Sequence, residues 1–238
     1  GRFVFCVIYE VNEKRRRGSS VVKSVEYADA GRGIEYYRAG IYKIKNKRDE
    51  EELKNALGRT VNHFVPEGDV VLPDSRGIEK IETYGFVRDL MLYKLIETAK
   101  EHKIQSAAVK CSDAVFTDKC VCIAKYIRDV RLLCRNDRIL NNYRSRVFSL
   151  YGASTGDNNG GDIITFDFDN IKIIRGSGVF SFEKIIYPIE IADSVPENVK
   201  KLDFFSAVYK YSGQKKYLLD NCRLIFSQGK EINELLNL

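Results

Sequence analysis

Residues 104–137 read IQSAAVKCSDAVFTDKCVCIAKYIRDVRLLCRND, and this stretch decides the fold class. Two short apolar runs, Ile104 to Lys110 and Val130 to Arg135, bracket a segment from Thr117 to Asp129 with Val121, Ala124 and Ile127 at helical spacing. Two strands joined through one helix need a crossover, and the crossover expected is right-handed with the strands parallel. Such a sheet is covered on both faces, so its strands read as apolar runs without alternation. Ala107-Ala108-Val109 fits that pattern, and Arg131 interrupts it in the second run.

Outward from this unit the alternation continues. Phe86, Leu90, Tyr93 and Ile96 predict a helix running to about Lys103, and Asp69 to Leu72 a short buried strand stopped by Pro73. Asp137 to Tyr151 predicts a helix carrying Leu140, Tyr143, Val147 and Leu150, with Gly152 as its C-cap. Leu53, Leu57, Val61 and Phe64 fall on one helical face, with Asp49 and three glutamates crowding the first turn. Near the start, Phe3 to Val11 and Val21 to Ala28 read as two strands of an antiparallel hairpin whose tip carries the run Lys14 to Arg17. After the glycine-rich segment 152–161, Asp162 to Phe168 and Ile171 to Ile174 flank a turn at Asp169-Asn170. Ser194 and Pro196 stand as N-cap and first-turn proline of a helix through Tyr211.

The fold class expected is therefore α/β. A Rossmann-like layer over 69–168, with a mostly parallel sheet and helices on both faces, follows an N-terminal hairpin and helix region, 1–68. A mixed β/α part, 169–238, completes the chain, either on the same sheet or as its own domain.

Bulk numbers narrow the function. The chain has 238 residues, 44% of them hydrophobic and 30% charged, which excludes disorder. Its longest clean apolar run, Phe3 to Tyr9, is far short of the ~20 residues of a membrane helix, so no membrane partner is expected. The net charge of +6 permits an anionic partner without demanding one. Six cysteines include no C-x-x-C pair and lie mostly in apolar runs. With no secretory pattern at the start of the sequence, reduced thiols and a cytoplasmic location are expected.

In an open parallel sheet the ligand lies beyond the carboxyl ends of the strands. The residues that rule selects are Asp74, Ser75 and Arg76 after the first strand of the layer, Ser112 and Asp113 after the second, and Arg135, Asn136 and Asp137 after the third. The spacing from Ser112-Asp113 to Asn136-Asp137 resembles the first βαβ unit of dinucleotide-binding folds, but Cys111 to Lys119 has no glycine, so no working fingerprint is present. Asn136 and Asp137 also suit helix N-caps. Asp167 and Asp169 share one side of a strand, as a cation pair or as part of the turn. His63 and His102 are the only histidines, neither with metal-ligand spacing, and no metal or cofactor is assigned. Tyr36, Tyr37 and Tyr42 alternate with Arg38, Lys43 and Lys45, a pattern that suits single-stranded nucleic acid or simple cross-strand packing.

Three functions follow in order. The first is a binding or regulatory protein taking a small anion, such as a nucleotide, with Arg76, Lys110 and Arg135 at the strand ends. The second is an enzyme using Asp74, Asp113 and Asp137. The third is a module binding protein or nucleic acid through the tyrosine-rich hairpin. A homo-oligomer remains open.

Overall fold

The structure, a computed structural model, describes residues 5–58, 60–73, 77–153, 155 and 163–237. In chain order the elements are β1 (Cys6–Glu10), β2 (Val22–Asp29), β3 (Glu35–Ile41), α1 (Lys47–Leu57), β4 (His63–Glu67), β5 (Glu79–Lys80), α2 (Tyr84–Glu101), β6 (Ser106–Lys110), α3 (Ala114–Cys120) and β7 (Asp129–Leu133). They continue as α4 (Asp137–Tyr151), β8 (Ile164–Asp167), β9 (Lys172–Arg175), β10 (Gly178–Ile186), α5 (Ile189–Ala192), α6 (Lys201–Tyr211), α7 (Lys215–Asn221), β11 (Arg223–Phe226) and α8 (Ile232–Leu236). The chain is α/β and forms two compact units. One comprises the described residues of Gly1–Phe86 with Tyr187–Asn221, and the other Val87–Ile186 with Cys222–Leu238.

The first unit carries a five-stranded sheet in the order β2-β3-β1-β4-β5. The expected hairpin of β1 with β2 does not form. β2 pairs antiparallel with β3, which lies parallel to β1 and between the two strands expected to pair. The tight turn is at Ala30–Ile34, where Ala30 N–H donates to the Ile34 carbonyl and Gly31 and Gly33 take positive φ. The run Lys14 to Arg17 is exposed apart from Arg15. Arg15 donates to Asp49 at 2.6 Å and to Glu52 at 3.3 Å on α1, and to the Ser19 carbonyl. Burial pushes the Asp49 carboxyl up, but the bonds from Arg15 and the Lys45 N–H outweigh it and hold it below the usual carboxylate value.

Tyr36 is core, stacked on Phe5 and edge-on to Phe204 of α6. Tyr37 meets Tyr27 across the β2–β3 pair. Arg38 forks onto Glu67 at 2.7 and 3.0 Å above the Tyr9 ring. Gly40 makes room for that ring, since a Cβ there would stand 2.7 Å from it. Two expectations fail here for one reason. Phe64 belongs to β4, not to the helical face of Leu53 and Leu57, because Gly58 ends α1 at φ +78°. Asp69 to Leu72 is not a strand; β4 ends just before Gly68, whose φ of +73° turns the chain, and Val71 is exposed. Likewise α6 starts at Lys201, after a separate short helix α5, so Ser194 and Pro196 do not open it.

The second unit carries a six-stranded sheet in the order β11-β10-β9-β8-β6-β7. The expectation of a mostly parallel sheet does not hold. β6 runs parallel to β7 and to β8, whereas β8–β9, β9–β10 and β10–β11 are antiparallel. Connection length explains the split from β6 to β10, though not the β10–β11 pair, whose connection runs through α5, α6 and α7. A helix separates β6 from β7 and β7 from β8, while β8, β9 and β10 are joined by turns of a few residues, which only an antiparallel pair can close. Between β6 and β7 the helix is shorter than expected, α3 giving way to a single 3₁₀ segment at Val121–Lys125. Inside lie Leu90, Leu95, Val109, Phe116, Val130, Phe166, Phe168 and Ile173. No helix among the described residues is long and apolar enough to cross a membrane.

Candidate functional site

The carboxyl ends of β7, β6 and β8 lie side by side in the second unit, with Lys110 in register with Leu133 and with Asp167. The loops leaving them therefore form one rim. Of the expected site residues, Ser112, Asp113, Arg135, Asn136 and Asp137 stand on it. Asp74, Ser75 and Arg76 lie outside the described residues.

The deepest group is Asp167, fully buried at the end of β8. Its Oδ1 accepts the N–H groups of Asp169 and Asn170, each at 3.1 Å, and its Oδ2 accepts the Asn170 side-chain amide at 3.0 Å. Lys110 and Lys172 approach the same carboxylate at 3.5 and 3.9 Å. Burial of a carboxylate is costly without such partners. Asp167 thus ties the β8–β9 turn, and the expected turn at Asp169-Asn170 is present.

That turn aims Asp169 across at the loop after β6. Its Oδ1 accepts the Ser112 N–H at 3.0 Å and the Ser112 hydroxyl at 3.1 Å. The carboxylate sits beside the start of α3, in the strand-to-helix loop. Next to it Asp113 caps α3, accepting the Phe116 N–H at 2.8 Å. Arg88 of α2 reaches Asp113 at 3.4 Å with its guanidinium over the Phe116 ring. The cap bond, with Arg88 beside it, holds the Asp113 carboxyl below its ordinary value against the opposing effect of burial.

On the far side Asn136 caps α4, its side-chain oxygen accepting the Arg138 and Ile139 N–H groups at 3.0 and 3.2 Å. Asp137 is the first helical residue, and both it and Arg135 are exposed. The helix ends as expected, at Gly152 in the left-handed region.

Cys111 follows β6 and is buried. Burial pushes its thiol up, against smaller opposing effects from Thr117 and Asp113, so it lacks the lowered value of a nucleophile. All six cysteines are free, and among the described residues no cluster of three or more His, Cys, Asp or Glu side chains suits a metal ion.

Sequence reasoning named the residues after β6 and β7 and the Asn136 cap, whereas Asp137, also expected as a cap, is the first helical residue; it missed the Asp113 cap, Arg88, Lys172 and the seating of Asp169 on Ser112. Arg88 lies on a helix before β6 and Lys172 on an antiparallel strand. Neither position is where a strand-end rule looks. Comparison of the chain with protein families, with curated proteins and with solved structures gave no match.

Proposed function

We propose that this protein is a binding or regulatory protein whose second unit takes a small anionic ligand, of the nucleotide or phosphate kind, at the rim beyond β6, β7 and β8. This reading treats the parallel β8-β6-β7 core as a Rossmann-like element, and it assigns no cofactor. One observation carries it: a carboxylate, Asp169, already occupies the Ser112 N–H and hydroxyl at the mouth of α3. Those groups donate to an oxyanion in the folded chain, and a ligand anion would take the same donors in place of Asp169. Lys110 and Lys172, both against Asp167, and the exposed Arg135 after β7 are the cations of the same rim.

The test follows the Ser112 amide resonance while ATP, ADP and inorganic phosphate are titrated in turn. A saturable shift is expected with at least one of them. Asp169→Asn, which removes the competing charge, tightens binding, and Arg135→Ala weakens it. A Ser112 amide that stays still for every anion, in both the native chain and Asp169→Asn, ends the proposal.

A further inference from the structure

The opposite end of the same parallel strands holds a second feature, independent of the rim. His102, Lys103 and Ile104 lead into β6, Ile164 opens β8, Arg175 closes antiparallel β9, and Leu236 and Asn237 close α8. These residues line one cavity of about 330 Å³. That volume is within the range of small-molecule sites, roughly 300–1,000 Å³.

Its chemistry is one-sided. Three of the lining side chains are basic or imidazole, and none is acidic among the described residues. Arg175 is held by a bond from Nη1 to the Leu235 carbonyl at 2.7 Å, which fixes the guanidinium at the cavity wall. Among the described residues no carboxylate lies within ion-pair distance of His102, Lys103 or Arg175. Three other cations of this unit do have carboxylate partners: Lys119 pairs with Asp89, Lys100 with Glu97, and Arg223 with Glu231. A pocket that gathers cations without counter-charges is arranged to receive one from outside, because each positive group raises the energy of the others until an anion arrives.

We propose that this cavity binds a small, multiply charged oxyanion, with Arg175 as the forked donor, Lys103 as the mobile charge at the rim and His102 as a ring donor. Ile104, Ile164 and Leu236 give it an apolar floor. The site goes beyond the rim proposal and does not rest on it.

The chain's two histidines make the experiment local, since His102 lies in this cavity and His63 in the other unit. The intact chain, labelled with ¹⁵N at histidine, is titrated with sodium pyrophosphate and, separately, with citrate at constant ionic strength. The expected result is a saturable movement of the His102 ring signals while those of His63 stay fixed. A response to pyrophosphate alone assigns a phosphate-bearing ligand, and a response to citrate alone a polycarboxylate. Lys103→Ala lowers the affinity about fivefold, as for loss of one partly screened charge, and Lys103→Glu lowers it further. Arg175→Ala abolishes binding; because that change also frees Leu235, the exposed Lys103 variants decide the matter where α8 is disturbed. Static His102 signals with both anions overturn the proposal. So does a shift that never saturates or that Lys103→Glu leaves unchanged. Asp169→Asn has no effect on the His102 response, so failure at this site and failure at the rim are read from separate signals.

Discussion

The two ends of the β8-β6-β7 strands solve opposite electrostatic problems. At the carboxyl end charge is neutralised from within: Asp167 by turn amides and two lysines, Asp169 by Ser112, and Asp113 by a helix N-terminus and Arg88. At the amino end, His102, Lys103 and Arg175 share a cavity with no acidic residue among the described ones. A rule that looks only beyond the carboxyl ends finds the better built of the two and passes over the one with more unsatisfied charge. Internal pairing stabilises the fold, and unpaired charge is what an external ligand can use.

The comparison breaks first at Asp167. Replacing it with Ala removes a fully buried carboxylate, leaves the Asp169 and Asn170 amides unmet and puts Lys110 and Lys172 side by side. A loss of about 3 kcal/mol is expected in urea unfolding. A loss below about 1 kcal/mol would show that the carboxyl end is not held by internal pairing. Next come the caps. Asn136→Ala and Asp113→Ala each cost about 1 kcal/mol of stability, whereas Asn136→Asp and Asp113→Asn, which keep a capping oxygen, cost much less. Equal losses for the Ala and the conservative variants would remove the capping account.

Acid unfolding sharpens the contrast. The Asp113 carboxyl lies below its ordinary value in the folded chain. Its contribution is therefore whole above that value, about 3.9, and fades as the pH falls through it and below. Asp113→Asn should flatten that part of the stability-versus-pH curve and leave the neutral range nearly unchanged, with a difference under about 1 kcal/mol at this half-exposed site. The smallest effect belongs to the amino end. Lys103→Ala should change stability by less than about 0.5 kcal/mol in the absence of added anion. A larger loss would mean that Lys103 has a structural partner and that its charge is already spent.

What the sequence made legible was local. Helix α4 runs from Asp137 to Tyr151, as its pattern requires, because Asn136 and Gly152 act on neighbouring backbone groups. The Asp169-Asn170 turn was legible for the same reason. Phe64 was not, since its spacing continues a helical stripe that Gly58 has already ended. The partner of β1 was not legible either. Its apolar run suits pairing with β2 or with β3, and only tertiary arrangement selects β3. The site divided along the same line. Asn136 caps the helix that follows it, as its position suggests, whereas Asp169 meets Ser112 from 57 residues away. No short-range signal announces a contact of that kind.

The Asp169–Ser112 contact has a thermodynamic consequence for any ligand at the rim. A tethered carboxylate competes at an effective concentration set by its turn rather than by the solution, of millimolar order for a short link and higher when the link is rigid. The measured affinity of an incoming anion is reduced by the fraction of chains in which Asp169 has swung away. Under the proposed function, weak monovalent anions would thereby be filtered out, and a ligand that also engaged Lys110, Lys172 or Arg135 would gain the selectivity that the intramolecular carboxylate imposes on all the others.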